Sequence, residues 1–275
     1  FRSVTGRNQP RKFIFGAPKW MRSLAVPAPG HVLCYADYSA QEIGIAAALS
    51  GDAAMKAMYG APDPHMEFAA MAGAVPIGAN SDALKAIRKT FKTVNLAVLY
   101  GQSSEGIATR LGIETHDARQ ILLLHRQFFA TYHAWSSRVT NAAYTRGYAT
   151  TRQGWRATVD LGSRWRTWAN FPIQGGGAEV MRCTTIAMDR LGLEVLAVVH
   201  DGWLIECRAG DEGRVHDAVR RAGEWACRHV LGGFPLRMDW QVFPDRFVDD
   251  SEGTVADWAF IMANLPKEVL RVPAE

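Results

Sequence analysis

Leu193-Glu194-Val195-Leu196-Ala197-Val198-Val199-His200-Asp201-Gly202-Trp203-Leu204-Ile205-Glu206-Cys207 consists of two apolar runs of strand length joined by a polar turn. Asp-Gly is a favoured pair for a tight hairpin, so the stretch predicts a β-hairpin with Asp201 and Gly202 at its turn. A second apolar run, Val32-Leu33-Cys34-Tyr35-Ala36-Asp37-Tyr38, is also strand-like and also ends at an aspartate. Taken alone, Asp201 is explained by the turn. Taken with Asp37 it points to chemistry, because two carboxylates at neighbouring strand ends can hold a pair of Mg²⁺ ions roughly 3.5–4 Å apart. One ion would activate a nucleophilic oxygen and the other stabilise a leaving oxygen. Aspartate suits the task because its short side chain keeps the ion close to a rigid strand. The backbone carbonyl of Tyr38 is a candidate further ligand.

Between the two strands, Leu84, Ile87, Phe91, Val94 and Val98 recur at spacings of three and four, one face of an α-helix over about 82–100. Arg88, Lys92, Leu96 and Tyr100 recur every four residues on another face. A nucleoside triphosphate carries about four negative charges, which an arginine and a lysine one helical turn apart can contact together. Leu96 and Tyr100 lie further along the stripe, where a base would rest. The plainer alternative is an amphipathic helix with a solvated basic face.

Outward from these elements, residues 1–30 are rich in Pro, Gly and Arg and read as an irregular basic arm containing Arg2, Arg7, Arg11, Lys12, Lys19 and Arg22. A helix is predicted over about 40–50, where Ser39-Ala40-Gln41-Glu42 matches a capping box that would tie Glu42 to the helix N-terminus. Asp63-Pro64-His65 opens the next helix with proline in its first turn, and Pro76, Gly78 and Asn80 break it. Helical patterns continue at about 104–111, 116–146, 176–191 and 211–230, with strand-like pieces near 148–160. Gly175-Gly176-Gly177 lacks the Gly-Lys-Ser/Thr of a phosphate loop and reads as the start of a closely packed helix. The fold class is α+β: a small antiparallel sheet bearing the aspartates, with a helical subdomain inserted between its strands.

The composition is that of an ordinary globular protein, 48% hydrophobic and 21% charged. A net charge of +4, with arginine outnumbering lysine, favours a polyanionic partner. The cysteines Cys34, Cys183, Cys207 and Cys227 form no CxxC pair, so neither a zinc site nor a disulfide framework is indicated, and a reducing compartment is the default. No apolar run approaches the roughly 20 residues that span a bilayer. A chain opening on Phe1 reads as a fragment of a longer one.

Asp37-Tyr38-Ser39-Ala40-Gln41-Glu42, Arg88-(three residues)-Lys92-(two)-Asn95-(four)-Tyr100-Gly101, and His200-Asp201 resemble motifs A, B and C of family A DNA polymerases, the DNA polymerase I family. Thr5-Gly6-Arg7, Asp63-Pro64-His65 and Arg166-(three)-Asn170-Phe171-Pro172-Ile173-Gln174-Gly175 match further family segments in the right order, from Thr5 to about Trp258. The resemblance implies an antiparallel palm that carries two Mg²⁺ ions and a helical fingers subdomain. Residues 1–30 would be the arm and start of the palm, 31–60 the palm with motif A, 61–146 the fingers with motif B, and 147–275 the continuing palm with motif C.

By position, the resemblance makes Asp37, Asp201 and Lys92 catalytic, and Asp37, Tyr38 and Asp201 the metal ligands. Arg88 and Lys92 would grip the triphosphate, with Leu96 and Tyr100 at the nascent base pair. Glu42 falls at the steric gate, where it would crowd a ribose 2′-hydroxyl and select deoxynucleotides. Arg7, Arg166, Asn170, Gln174 and His200 would contact the primer–template, reading shape more than sequence; for His200, a structural role in the turn is the simpler alternative. Expected partners are primer–template DNA and deoxynucleoside triphosphates, with no membrane. The expected setting is the cytoplasm of a bacterial or phage-infected cell, at the nucleoid, in replication or as part of a phage or mobile element.

The pattern also departs from the family. Gly202 stands where motif C commonly has a glutamate, Leu96 where an aromatic residue is common, and Gly44 where an arginine is common. Leu96 has no hydroxyl, which implies poor use of dideoxynucleotides. A thumb and an exonuclease would lie before Thr5, supplied upstream or by a separate segment; acting alone, the chain is expected to synthesise distributively and without proofreading. The alternative function is a catalytically weak primer–template-binding remnant or accessory module, favoured by Gly202 and the missing thumb and opposed by the joint presence of Asp37, Asp201, Arg88, Lys92 and Tyr100. A third possibility, an RNA polymerase or reverse transcriptase, is disfavoured by Glu42 as far as ribonucleotide use goes, with the template preference left open.

Overall fold

The computed structural model describes residues 3–7, 16, 18–160, 162, 165–248 and 253–265. Arg2, Arg11 and Lys12 of the basic arm lie outside the described residues. The chain forms two compact units: Phe1–Arg7, Tyr38–Thr184 and Ala222–Arg237 make unit 1; Asn8–Asp37, Thr185–Arg221 and Met238–Glu275 make unit 2.

Unit 2 is built on a four-stranded sheet in the order β4-β5-β1-β6, with β1 His31–Tyr38, β4 Glu194–Val199, β5 Gly202–Arg208 and β6 Met238–Phe243. Antiparallel pairing of β1 with β5 runs from His31↔Arg208 to Asp37↔Gly202, and β4 pairs antiparallel with β5 out to Val199↔Gly202. The period-2 alternation puts Leu33, Tyr35 and Asp37 on one face of β1. That face is apolar at one end, where Leu33 joins Ala197, Leu204 and Phe247 in a buried cluster with Tyr35 and Phe243 packed against it. It becomes acidic at the other. A 3₁₀ helix at Lys19–Leu24 contacts helix α10, Thr254–Asn264, through Trp20 and Trp258. Neither β6 nor α10 is predicted from the sequence.

Unit 1 is mainly helical, with α1 Gln41–Ser50, α2 Ala53–Gly60, α3 Pro64–Met71, α4 Ser81–Leu99, α5 Ser104–Leu111, α6 Thr115–Phe128 and α7 Ala130–Arg146. A small hairpin follows, β2 Tyr148–Thr150 with β3 Arg156–Thr158. Helices α8, Trp165–Arg190, and α9, Glu212–Leu231, belong to both units along their lengths. Of the face its periodicity predicts, helix α4 buries Phe91, Val94 and Val98 and leaves Leu84 and Ile87 half-buried; Ala97 is buried as well, and α3 packs against the helix through Phe68, edge-on to Phe91 at 5.3 Å.

Three expectations need correction. The single helix over 116–146 is two, broken at Phe129, whose backbone (φ −116°, ψ 46°) leaves the helical region and whose ring is fully buried beside His125 and Phe68. The unpredicted α2 starts on Asp52, which caps it by accepting from the Met55 amide and reaches α7 by accepting from the Tyr132 amide. The helix over 176–191 starts at Trp165 and runs through Pro172, so Gly175, Gly176 and Gly177 lie inside α8. Gly175 and Gly177 are there for closeness: a Cβ on Gly175 would stand 2.4 Å from Thr151 Cγ2, and one on Gly177 2.7 Å from Gln41 Oε1. Thr151 cannot swing away, since its hydroxyl is bonded to the Glu179 carboxylate and accepts from the Trp155 amide.

Gly175→Ala is therefore expected to lower stability by about 1–3 kcal/mol through overpacking. Gly176→Ala, whose Cβ would meet Ile45 at an ordinary 3.4 Å, should be neutral or raise it by up to about 1 kcal/mol through helix propensity. Thermal unfolding of the two variants side by side checks both signs.

Candidate functional site

The acidic end of the sheet in unit 2 brings together what the sequence separates. Asp37 is the β1 partner of Gly202, the residue that follows Asp201. The hairpin turn is His200-Asp201, one residue earlier than the Asp-Gly pair predicts, because Gly202 is already the first residue of β5, paired with Val199 and Asp37. His200 takes the left-handed conformation (φ 41°) at the first turn position, where glycine is usual. Ala40 (φ 47°), three residues after Asp37, is the other non-glycine residue with positive φ among the described residues. Local backbone strain of this kind gathers at functional sites.

Burial, the Asp201 charge and then the Asp239 charge push the Asp37 carboxyl up to about 6. Asp239 lies on β6, beside β1 in the sheet order. The sequence reading missed it, although Met238-Asp239-Trp240-Gln241 alternates as an exposed strand does. Among the described residues no group of three or more His, Cys, Asp or Glu side chains could hold a metal unaided. The donor set nevertheless fits Mg²⁺, a hard ion usually held by one or two carboxylates with substrate phosphates and water completing its shell. Accumulated negative charge on Asp37 is what such an ion relieves. Tyr38 directs its side chain into the core, hydrogen-bonded to Thr184 at 2.8 Å.

Gly202 has a steric reason of its own. Its φ is not positive, so no unusual backbone calls for glycine; a Cβ there would lie 2.5 Å from the Tyr35 hydroxyl, 2.8 Å from its Cζ and 3.0 Å from the Ala36 carbonyl. The Tyr35 ring fills the place of any side chain at 202, and Phe247 backs that ring at 5.4 Å.

In unit 1, α4 presents a different set of groups. Arg88 is half-exposed and donates from Nε to the Asp63 carboxylate. Asp63 also accepts from the His65 and Met66 amides, at 2.9 and 3.2 Å, as the N-cap of α3. Burial works against ionisation of Asp63, but the Arg88 guanidinium and the two amides outweigh it and hold the carboxyl below its usual range. His65 is held down to about 4 by burial, which outweighs the opposing Asp63 charge and is aided by Arg88 and Lys92, so it is neutral and its Nδ1 accepts from Asn95 Nδ2 at 3.1 Å. Asp63-Pro64-His65 thus starts a helix and also braces α4 at two points, a role no local signal in the sequence shows. Lys92 is exposed and Leu96 half-buried on the same helix.

Glu42 does not cap α1. The N-cap is Ala40, with no side-chain cap, and Glu42 Oε1 instead takes Arg7 at 2.8 Å and the Tyr100 hydroxyl at 2.8 Å. Its Oε2 is buried without a partner. Burial and the Glu42 charge push the Tyr100 phenol up, while Arg7 and a hydrogen bond with Gln174 oppose them. Glu42, Tyr100, Arg7 and Gln174 therefore form one cluster. Arg166 lines an open cleft of about 910 Å³ together with Arg119, Arg126 and Trp165. Asn170 is buried, with an unpartnered Oδ1. His200 is exposed in unit 2.

The profile of DNA polymerase family A matches residues 15–242. The chain is 34% identical over 201 residues to a thermostable DNA polymerase I of Thermus filiformis, covering 68% of this chain and 24% of that protein. It is 30% identical over 207 residues to DNA polymerase I of Mycobacterium leprae, covering 68% and 22%. The POL domain of Pol1 from M. smegmatis, solved in complex with DNA primer-template and dNTP, superposes with a TM-score of 0.73 at 27% identity, over 88% of this chain and 46% of that one. The chain thus spans about a quarter of the length of these curated relatives.

A carboxyl whose pKa folding raises is a cost above that pKa. From about pH 4, where a free aspartate ionises, to about 6, stability contributed by Asp37 falls as pH rises. Without metal at pH 7.5, Asp37→Asn is therefore expected to gain on the order of 1 kcal/mol after solvent screening, with the gain vanishing below about pH 4. Denaturant melts in a chelator at the two pH values check this. Gly202→Glu is expected to cost about 1–3 kcal/mol through its collision with Tyr35, most of it recovered when Tyr35→Ala is added. Thermal unfolding of the single and double variants reads that coupling.

Proposed function

Since the chain belongs to DNA polymerase family A, we propose that it carries out DNA-directed DNA synthesis. The 3′-hydroxyl oxygen of a primer attacks the α-phosphorus of a deoxynucleoside triphosphate; a new P–O bond forms, the hydroxyl proton passes to solvent, the bond from the α-phosphorus to the α–β bridging oxygen breaks, and pyrophosphate leaves. The observation that carries this reading is the β1–β5 register, which sets Asp37 opposite Gly202 and so beside Asp201 at one strand end. The M. smegmatis domain, solved with primer-template and dNTP, supports DNA and deoxynucleotides as the partners.

Phosphoryl transfer asks a protein mainly for positioning and for charge where charge develops. Asp37 and Asp201 would hold the Mg²⁺ ions, with the Tyr38 carbonyl as a further donor; bound there, the ions supply charge neutralisation and polarise oxygen at phosphorus. Arg88 and Lys92 bind the triphosphate. Arg88 comes to this task oriented, because Asp63 fixes its guanidinium, while Lys92 brings an exposed ammonium one turn on. Lys92 also neutralises charge on the departing pyrophosphate.

Glu42 limits space at the sugar. Held by Arg7 and Tyr100, it is a fixed wall rather than a swinging side chain, and it excludes a 2′-hydroxyl. Leu96 and Tyr100 flank the nascent pair. Arg7, Arg166, Asn170, Gln174 and His200 hold the primer–template through its backbone and minor-groove edges.

The test is extension of a primed DNA template. Wild-type chain should extend only with Mg²⁺, and Asp37→Ala or Asp201→Ala should each reduce the rate by about three orders of magnitude through lost metal binding. Primer–template binding without extension at any Mg²⁺ concentration, or extension that ignores both substitutions, would contradict the proposal; the first result is what a binding-only module gives.

A further inference from the structure

Gly44 lies in the middle of α1 with an ordinary helical φ, so backbone freedom does not explain it. Space does. A Cβ would stand 2.5 Å from Leu236 Cδ2 and 2.8 and 2.9 Å from two ring atoms of Tyr59. The glycine lets the Tyr59 ring lie against α1, where it is almost wholly buried.

From that seat the Tyr59 hydroxyl donates to the Ser39 carbonyl (3.1 Å) and accepts from the Arg237 amide (2.9 Å), while the Arg237 carbonyl accepts from the Ser39 amide (3.0 Å). The Arg237 guanidinium lies over the same ring, 5.0 Å from its centroid. Its Nη1 donates to the carbonyls of Ala61 (2.6 Å) and Pro62 (3.2 Å). These two residues are the link between α2 and Asp63. Pro62 and Pro64 have no amide hydrogen, so the link can be pinned mainly through its carbonyls. A charged donor shared between adjacent carbonyls does that firmly. Beyond the link comes Asp63, which caps α3 and holds Arg88.

We infer that Arg237 is a positioning residue for the triphosphate grip: seated on Tyr59 over Gly44, it fixes the Ala61-Pro62 link and thereby aims Asp63 and, through Asp63, Arg88. The inference rests on the reading of Arg88 as a triphosphate contact. Arg237 touches no substrate in this account. Its effect reaches the nucleotide only by way of Arg88, which makes the two residues thermodynamically coupled and separates positioning from general structural support.

The experiment compares Arg237→Met, Arg237→Lys, Arg88→Ala and the double variant R237M/R88A. It measures the KM for dNTP and kcat in primer extension, and dNTP affinity for the complex with a primer lacking its 3′-hydroxyl. Arg237→Met is expected to raise both KM and the dissociation constant about 5–10-fold, with kcat changed less than about 3-fold. Arg237→Lys keeps the charge and the aliphatic stem, and so the fold, but loses the fork; it should weaken dNTP binding in the same direction. In the Arg88→Ala background, Arg237→Met should add less than about 2-fold. Wild-type dNTP affinity in Arg237→Lys and Arg237→Met, whatever their melting temperatures, would overturn the inference, as would effects of Arg237 and Arg88 that multiply. Unchanged dNTP binding in Arg88→Ala itself would sink the grip reading, and this inference with it.

Discussion

Like charges crowded at the end of a sheet are the constraint around which the rest of this molecule makes sense. Asp37 is partly buried, Asp201 stands across the strand pair, and Asp239 adds its field from the neighbouring strand. A fold selected only for stability would not keep such a group, because desolvation and repulsion both oppose the ionised form. The arrangement becomes favourable when a divalent cation is present. The strained turn at His200 and the left-handed Ala40 flank the same two aspartates in sequence, consistent with local cost retained for function.

The cationic groups of unit 1 follow the opposite logic. Two of them have their charges met, since Asp63 holds Arg88 and Glu42 holds Arg7. The Arg88–Asp63 pair fixes geometry more than it adds stability, as its half-exposed guanidinium is screened by solvent, whereas the Arg7–Glu42 pair is largely buried. A guanidinium already aimed by a carboxylate loses less freedom when it meets a phosphate. Small residues perform related work in the packing: Gly44, Gly175, Gly177 and Gly202 each stand where another residue's side chain needs the space. Two of the family departures, Gly44 and Gly202, are of this kind, with Tyr59 and Tyr35 occupying the volume that a side chain would take.

Much of this was legible in the residues. The strands of Asp37 and Asp201 were readable because apolar runs of strand length ended on carboxylates, and α4 because its buried and cationic faces carried separate periodicities. The α+β class followed from them. The first turns of helix α8 were obscured by Pro172, so that the three glycines read as its start although they lie inside it, where Gly175 and Gly177 allow close packing. The break at Phe129 was hidden by a helical pattern that continues across it. Helix α2 and strand β6 are short, and short elements carry little period to read. At the site, the individual charged residues were visible but their partners were not: Asp63 with Arg88, Glu42 with Arg7 and Tyr100, and Asp239 near Asp37 are long-range pairs that no local spacing encodes.

The central claim is that Asp37 and Asp201 jointly hold divalent cations, and paramagnetic broadening by Mn²⁺ tests it most directly. With primer–template and dNTP present, substoichiometric Mn²⁺ should selectively broaden the backbone amide signals of Asp37, Tyr38, Asp201 and Gly202, and this broadening should be lost in Asp37→Asn and in Asp201→Asn. Broadening centred elsewhere in the chain, or persisting at these amides in both variants, would contradict the account.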